Sequence, residues 1–210
     1  MKHPSKLGFL IYCLESTHKG STTLLVGGCV RDFVLGIEPK DFDLVTDVNI
    51  EQVHETLARS GFSVDTVGKQ FLVLIASKDG ESYEISNFRK DSEASDGRHP
   101  ENVTIGTLEE DANRRDFTVN AMYYNINTKE IITPIKQSMY DCLNRTLKFI
   151  GSPKSRIKED YLRVFRFYRF LKEKGLTPDS KSMSACRTYF DDAIKNTSSE
   201  RIRCEIERML

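Results

Sequence analysis

The sequence predicts an α+β protein in two parts, in which helices and strands mix over residues 1–150 and helices alone follow over residues 151–210. Two observations lead to this division. Short apolar runs rich in β-branched residues, bounded by turn-forming residues, are typical of strands and recur through the first part. From Pro153 onward, apolar residues recur at intervals of three and four, as on one face of a helix.

Local patterns predict the elements of the first part. The run that ends in Gly27 and Gly28 indicates a buried strand entering a tight turn, and alternating polar and apolar residues indicate a strand with one solvated face. Asn49 is the expected N-cap of a helix, and Asp79-Gly80 is a turn dipeptide between two strands. In chain order, we predict a helix over 5–18, a strand over 22–28, a helix over 29–36, the alternating strand over 41–46, a helix over 49–61, strands over 70–77 and 81–88, a mobile polar loop over 90–102, a helix running into a strand over 108–125 and a strand over 130–135.

The second part is predicted to consist of helices over 155–175, 180–196 and 198–210, the first of them closed by Gly175. Its charge differs from that of the rest of the chain. Residues 1–140 hold 15 Lys+Arg and 21 Asp+Glu, whereas residues 141–210 hold 16 and 10, so the net charges are −6 and +6. This asymmetry suits an acidic module followed by a basic one, although two solvated faces are the simpler explanation of the charge alone.

The composition is ordinary for a globular protein of 210 residues, with 30% charged residues and a formal net charge of zero. No apolar run approaches the roughly 18 residues of a membrane span, so we expect no membrane segment. The N-terminus lacks the layout of a signal peptide. The five cysteines form no CxxC pair, which argues against a zinc site and a disulfide framework, and we expect reduced thiols in the cytoplasm.

Asp41 and Asp43 are the first candidates for chemistry. On a strand they would project from the same face, about 7 Å apart. Mg²⁺ is typically bound by one or two carboxylates together with substrate phosphates. Upstream, Gly27 and Gly28 would let backbone N–H groups approach phosphate oxygens, and Arg31 adds a cation. Together these residues predict a site for a metal-bound nucleoside triphosphate, although a tight turn and a solvated strand explain each motif taken alone.

Three more segments carry candidate residues. Glu84 lies on a predicted strand and is either a third carboxylate or an exposed strand acid. The RRDFT segment places Arg115 and Asp116 at a helix-to-strand junction, which also suits a surface ion-pair cluster. In EDYLRVFRFYR, a three-residue spacing predicts one helix face that could hydrogen-bond base edges and phosphates, or form a solvated charged stripe. That face holds Asp160, Arg163, Arg166 and Arg169.

In their order along the chain, these motifs resemble those of the class II tRNA nucleotidyltransferases, which are the CCA-adding enzymes, and of the related bacterial poly(A) polymerases. The motifs are GGCVRD followed by DFD, then RRDFTVNA, EDYLRVFR and SSERIRCEI, and the resemblance extends from about residue 22 to residue 207. The stretch SDGRHPENV also resembles the family's flexible loop. The resemblance implies a nucleotidyltransferase head of the DNA polymerase β type, with a mixed sheet, over residues 1–150 and an all-α neck over residues 151–210.

The resemblance also implies roles for single residues. Asp41 and Asp43 match the two-metal carboxylates, and Glu84 matches the usual third acid. Asp160 and Arg163 match a pair that acts as an amino-acid template for the Watson–Crick edges of CTP and ATP. The matches to other nucleotide-contacting positions are Gly28, Arg31, Arg115, Asp116, Arg166 and Arg169.

The implied reaction is the Mg²⁺-dependent addition of C and A nucleotides from CTP and ATP to the 3′ end of tRNA or another RNA. CC-adding, A-adding and poly(A)-adding activities stay open, but VGKQFLVLIA lacks the doubled basic residues of the poly(A) polymerase relatives and so favours tRNA. A non-catalytic nucleotide- or RNA-binding remnant is the other alternative, against which the intact Asp41 and Asp43 argue.

The chain departs from the family pattern at two points. TPIKQSMYD stands where the family has a glycine-containing DPxGG-like segment. The sequence also stops where a neck would continue into body and tail domains, so we expect either a fragment or a minimal form. A minimal form would hold tRNA weakly, or with the help of a homodimer or a partner that supplies the missing domains.

Overall fold

A seven-stranded mixed sheet is the centre of the computed structural model, which describes residues 1, 3–90 and 104–210. Two further pairs of very short strands lie outside this sheet. In chain order the strands are β1 Thr23–Val26, β2 Asp43–Thr46, β3 Ser63–Asp65, β4 Val73–Lys78, β5 Glu81–Asn87, β6 Arg89–Lys90, β7 Thr104–Ile105, β8 Tyr123–Asn125, β9 Glu130–Ile132, β10 Thr146–Leu147 and β11 Thr177–Pro178.

The strand order in the main sheet is β3-β4-β5-β2-β1-β8-β9, which places β2 at its centre. Strands β2 and β5 are parallel, and the other neighbours in this sheet pair in antiparallel fashion. The register of β2 and β5 sets Asp43 directly beside Glu84. Two acids that are 41 positions apart in the sequence therefore meet because of strand pairing.

Helices cover this sheet and form most of the chain after residue 150. Short 3₁₀ helices at Lys69–Phe71 and Thr118–Asn120 complete the description. The α-helices of the described residues are α1 Ser5–Glu15, α2 Gly28–Val34, α3 Ile50–Arg59, α4 Leu108–Arg114, α5 Gln137–Leu143, α6 Pro153–Glu159, α7 Leu162–Lys174, α8 Ser180–Thr188, α9 Phe190–Asn196 and α10 Ser199–Glu207. None of them is long and apolar enough to cross a membrane. The predicted α+β class is confirmed.

Local sequence signals account for several element boundaries. Asn49 caps α3, because its side chain accepts a hydrogen bond from the N–H of Glu51. Asp79 and Gly80 both have positive φ, as a tight two-residue hairpin turn between β4 and β5 requires. Gly175 ends α7 in the left-handed conformation.

The prediction that residues 41–46 form a strand with one solvated face is wrong. The strand begins at Asp43, and Val45 and Thr46 are completely buried. Alternate residues of β2 enter two apolar clusters on opposite faces of the sheet, with Leu44 in the larger cluster and Val45 in the smaller one. Phe88 and other residues outside the strand cover the second face, so β2 has apolar neighbours on both sides.

Two of the long helices predicted after residue 150 are each divided in the structure. Helix α6 ends at Glu159 and α7 begins at Leu162, because Asp160 adopts an extended conformation with φ of −149°. The Asp160 carboxylate then accepts a hydrogen bond from the N–H of Leu162 and so stabilises the start of α7. A second break, at Tyr189, separates α8 from α9.

The main apolar core is continuous across residue 150. Phe117 and Phe149 pack with ring centroids 4.8 Å apart, and Phe167 of α7 stacks on Phe149 at 5.7 Å. Phe170, also of α7, meets Phe117 edge to face. The division into parts 1–150 and 151–210 stays a prediction, and the loop predicted over 90–102 lies almost entirely outside the described residues.

A buried carboxylate joins α4 to the sheet. Asp111 is completely buried and accepts hydrogen bonds from Arg114, from Arg115 and from the Tyr123 hydroxyl, with shortest distances of 2.6, 2.8 and 2.7 Å. Burial alone would raise the pKa of Asp111, but the two guanidinium groups and the hydroxyl lower it to about 2. Asp111 is therefore predominantly ionised in the folded protein at neutral pH.

We expect Asp111→Asn to lower the free energy of unfolding by about 3 to 5 kcal/mol at neutral pH, because it leaves two guanidinium groups without their buried partner. The folded pKa of about 2 lies below the unfolded value of about 3.9. The stabilisation by Asp111 is thus fully present above pH 4 and is lost as the pH falls through 2. Chemical denaturation between pH 2 and 7 measures both effects.

The matched control for this experiment is Glu130→Gln, which alters an exposed acid at the start of β9. Its unfolding free energy should stay within about 0.5 kcal/mol of the wild type. An Asp111→Asn protein with the stability and pH dependence of the wild type would contradict the assigned role of this carboxylate.

Candidate active site

A cleft of about 500 Å³ collects most of the predicted site residues. The turn between β1 and α2, the segment that enters β2, and helix α7 contribute to its walls. Three predicted residues do not line it: Glu84, Asp160 and Arg163. Those that do are Gly27, Gly28, Arg31, Asp41, Asp43, Arg115, Asp116, Arg166 and Arg169.

The turn at Gly27 requires glycine. Its φ is +74°, a conformation that other residues rarely adopt, and a Cβ atom here would lie 3.4 Å from Nη1 of Arg115. The Gly27 carbonyl accepts the N–H of Arg31, which begins the hydrogen bonding of α2. As at every α-helix start, the N–H groups of the first turn lack intrahelical acceptors. The chain thus presents backbone donors at the cleft next to the Arg115 guanidinium.

The three predicted carboxylates do not lie on one strand: Asp41, Asp43 and Glu84 each occupy a different place in the chain fold. Asp43 is the first residue of β2, whereas Asp41 precedes the strand, so the prediction that both project from one strand is wrong. Both still line the cleft, and Glu84 lies beside Asp43 through the strand register. Desolvation, followed by repulsion from Glu84, raises the pKa of Asp43 to about 6, against the opposing effect of Arg115.

This donor set fits a hard divalent cation. Closely spaced carboxylates repel one another, and oxygen donors of this kind are preferred by Mg²⁺, which takes its other ligands from water and phosphates. Among the described residues, no group of three or more His, Cys, Asp and Glu side chains is arranged as a complete metal cage. Asp41 and Asp43 therefore fit a site that the protein shares with a substrate.

Arg31 is held rigidly at the cleft. Its Nε donates to Asp32 Oδ1 at 2.8 Å, and its Nη1 donates to Asn120 Oδ1 at 2.8 Å. Only 4% of Arg31 is exposed. The Asn120 amide in turn donates to Asp116 Oδ1 at 3.0 Å, which connects Arg31 to the RRDFT segment.

Asp116 connects the first part of the chain to α7. Arg166 donates to Asp116 Oδ2 from both Nε, at 2.9 Å, and Nη2, at 2.7 Å. Burial by itself would raise the pKa of Asp116, but Arg166 and Asn120 lower it to about 2. The resulting ion pair is buried on the carboxylate side, and its charge-assisted hydrogen bonds both reach one oxygen, Oδ2, while Oδ1 accepts from Asn120.

Helix α10 joins the same network through Glu205. This buried carboxylate accepts from Nε of Arg169 at 2.6 Å and lies 4.0 Å from Nη1 of Arg166. Arg169 also pairs with Glu173 at 2.9 Å. Lys174 pairs with Glu173 at 3.0 Å and with Asp32 at 3.2 Å, which returns the network to α2.

The ion pairs and hydrogen bonds described above form a closed loop of side chains. We call this set the charge ring; its members, in order, are Arg31, Asp32, Lys174, Glu173, Arg169, Glu205, Arg166, Asp116 and Asn120. Phe170 lies among three of its arginines: the guanidinium carbons of Arg169, Arg31 and Arg166 are 4.4, 4.9 and 5.6 Å from the ring centroid. Cation–π attraction of this kind adds about 0.5 to 2 kcal/mol per contact, so the aromatic ring helps to hold the arginines together.

The prediction that one helix face holds Asp160 together with three arginines is wrong for Asp160, whereas Arg163, Arg166 and Arg169 do lie on α7 at the predicted spacing. Asp160 lies at the break before α7, and its carboxylate is 3.2 Å from Nη2 of Arg201. Arg163 instead donates to the carbonyl of Arg156 and to the carboxylate of Glu159. The Asp160 charge nevertheless contributes, after those of Asp116 and Glu205, to the raised pKa of Arg166, which lines the cleft.

Sequence reasoning does not identify the partners of several site residues. Phe170 appears as one more apolar residue of a helix, and the SSERIRCEI motif that contains Glu205 does not indicate which residues Glu205 contacts. Both gain their roles from contacts between distant parts of the chain. Asn120 is an exception, since it lies in RRDFTVNA, four positions after Asp116, and a polar residue between buried neighbours suggests a specific partner.

Comparison with known proteins agrees with these motifs. A family model described as the poly(A) polymerase head domain matches residues 23–148. The CCA-adding enzyme of Bacillus pumilus is 37% identical over 199 residues, which cover 94% of this chain and 48% of the relative. The mitochondrial CCA tRNA nucleotidyltransferase 1 of Danio rerio is 30% identical over 189 residues, which cover 89% of this chain and 43% of the relative.

Among solved structures, the Bacillus stearothermophilus CCA-adding enzyme in complex with CTP matches with a TM-score of 0.85 and 28% identity, covering 100% of this chain and 49% of that one. The chain thus spans about half the length of the relatives it matches. The family model covers more than half of the chain and includes every strand of the seven-stranded sheet. The chain therefore belongs to the poly(A) polymerase head domain family, and its relatives include CCA-adding enzymes.

Proposed function

We propose that the chain is the nucleotidyl-transferring part of an enzyme that adds C and A nucleotides, from CTP and ATP, to the 3′ end of tRNA. The observation that carries this proposal is the cleft in which Asp41 and Asp43 meet the Gly27 turn and a ring of arginines. The names of the relatives, and the CTP complex of one of them, support it. CC-adding, A-adding and poly(A)-adding activities remain the alternatives.

Asp41 and Asp43, with Glu84 beside them, would hold Mg²⁺ in this cleft. When bound, such ions lower the pKa of an RNA 3′-hydroxyl and stabilise the departing pyrophosphate. The protein's own part is to orient the carboxylates and to limit the rise in the pKa of Asp43. Strand pairing with β5 fixes Asp43, and the adjacent Arg115 opposes the rise in the Asp43 pKa.

Backbone donors would bind the nucleotide's phosphates, and fixed cations beside them would add positive potential. The first turn of α2, opened by the Gly27–Gly28 turn, supplies N–H groups, and Arg115 lies next to it. Arg31 already bonds Asp32 and Asn120, so we propose that it positions the turn and adds positive potential. Groups that are held in place before the substrate arrives need no reorganisation during the reaction, which favours phosphoryl transfer.

Asp160 and Arg163 would recognise the base. In the structure both are bonded to protein groups, so this role requires them to exchange partners. The ion pair between Asp160 and Arg201 is partly solvent-exposed and therefore contributes little stability, about 1 kcal/mol or less. Its replacement by a base edge would consequently cost little.

The setting we propose is the cytoplasm, where all five cysteines, four of them buried and none in a disulfide, would stay reduced. Because the relatives are about twice as long, we further propose that RNA affinity depends partly on a second copy or on a partner that contributes contacts outside the cleft.

Replacement of a cleft carboxylate tests the catalytic proposal. We expect Asp43→Asn to reduce incorporation of labelled CTP into tRNA lacking its CCA end by at least about 100-fold, because the neutral amide removes charge at the centre of the site. Glu130→Gln is the control and should retain wild-type rates. To separate the alternative activities, three tRNA substrates are compared, which end before CCA, after the first C and after CC. Each of them is incubated with one nucleotide at a time.

Two outcomes of this assay would count against the proposal. Unchanged incorporation by Asp43→Asn would exclude the carboxylate pair as the catalytic centre. Absence of incorporation by folded wild-type protein at micromolar concentration, with every primer and nucleotide, would exclude the enzyme proposal for this chain.

A second substitution tests base recognition. Arg163→Ala should reduce the preference for CTP and ATP over GTP and UTP by about tenfold or more, because a lost donor leaves groups of the base edge unpaired. Arg203→Ala, which removes an exposed arginine that pairs with Glu207 on α10, is the matched control. Ratios of kcat/KM for the four nucleotides measure the effect, and an unchanged ratio would refute the role of Arg163.

A further inference from the structure

The cations of the cleft fall into two classes. Seven lysines and arginines line it among the described residues, and five of them form ion pairs with carboxylates. Those five are Arg31, Arg115, Arg166, Arg169 and Lys174. The remaining two, Lys40 and Arg208, are exposed and form no ion pair within the described part of the chain.

The paired cations are poorly suited to bind a large mobile anion. Each already neutralises a carboxylate, and four of the five belong to the charge ring, so a new anion would have to compete with existing partners. Within the described residues, no carboxylate pairs with Lys40 or Arg208 and competes for them. An exposed side chain also keeps its conformational freedom, which suits contact with a flexible chain rather than with a fixed group.

Both residues line the same cleft as Asp41 and Asp43. Lys40 directly precedes Asp41, and Arg208 directly follows α10, whose Glu205 pairs with Arg169 and Arg166 of the charge ring. An RNA 3′ end must cross the exposed rim of the cleft to reach Asp41 and Asp43. The acids at this rim, Glu38 among them, repel phosphates, so an entering strand needs cations there.

We propose that Lys40 and Arg208 bind the phosphodiester backbone of the RNA strand as it enters the cleft. This inference rests on the proposed function, since it takes the entering strand to be the RNA that is extended. Contacts to backbone phosphates position a strand without reading its sequence, which is the property that addition to many different tRNAs requires. The nucleotide's triphosphate would instead lie deeper, against the Gly27 turn.

The test measures the binding of tRNA that lacks its CCA end by fluorescence anisotropy, in the absence of nucleotide. The variants compared with the wild type are Lys40→Ala, Arg208→Ala and the double variant. We expect each single substitution to weaken binding about 3- to 10-fold at low salt. The slope of log affinity against log salt concentration should become shallower by about 0.7 for each lost contact to single-stranded RNA. KM for CTP should stay unchanged.

Lys195→Ala and Arg203→Ala, which alter exposed cations on α9 and α10 outside the cleft, are the matched controls and should bind like the wild type. If the wild-type protein extends RNA and both single variants bind RNA with the wild-type affinity and salt slope, this inference is overturned, whereas the proposed function is not. A raised KM for CTP with unchanged RNA affinity would overturn it in favour of a triphosphate site. Wild-type protein that neither binds nor extends RNA would overturn both this inference and the proposed function.

Discussion

The ion pair between Asp116 and Arg166 is the contact on which the rest of the cleft depends. It joins the segment that follows α4 to helix α7 through two hydrogen bonds of 2.9 and 2.7 Å. Asp116 reaches Arg31 through Asn120, and Arg166 reaches α10 through Glu205. If one of these two partners were absent, a buried charge would be left uncompensated at the junction of four segments.

Closure of the charge ring has a chemical consequence. Each arginine in it is fixed by carboxylates and by the face of Phe170, so its position does not depend on a bound ligand. A site that holds its charges in place before substrate arrives loses little free energy to reorganisation. The carboxylates of the charge ring also neutralise most of the cations that line the cleft. The exposed cations at the rim of the cleft therefore remain to attract phosphates.

Sequence patterns predict the local features of this structure well and its long-range contacts poorly. The Gly27 turn, the Asn49 cap and the Asp79-Gly80 hairpin follow from the conformations that single residues allow. Apolar periodicity does not predict the break at Asp160, because the pattern continues through this residue. The helix is interrupted where the Asp160 side chain accepts a hydrogen bond from the N–H of Leu162. Contacts such as that between Glu205 and Arg169 depend on tertiary packing, which residue spacing within one helix does not encode.

A double-mutant cycle on Asp116 and Arg166 tests the central claim most directly. The unfolding free energies of Asp116→Asn, Arg166→Gln and the double variant would be measured by chemical denaturation at neutral pH. A coupling energy of about 1 to 3 kcal/mol is predicted, because either substitution alone should already remove the junction that the pair maintains. Effects that add within about 0.5 kcal/mol would show that the two residues act independently, and would contradict the account of the cleft as a structure built on this pair.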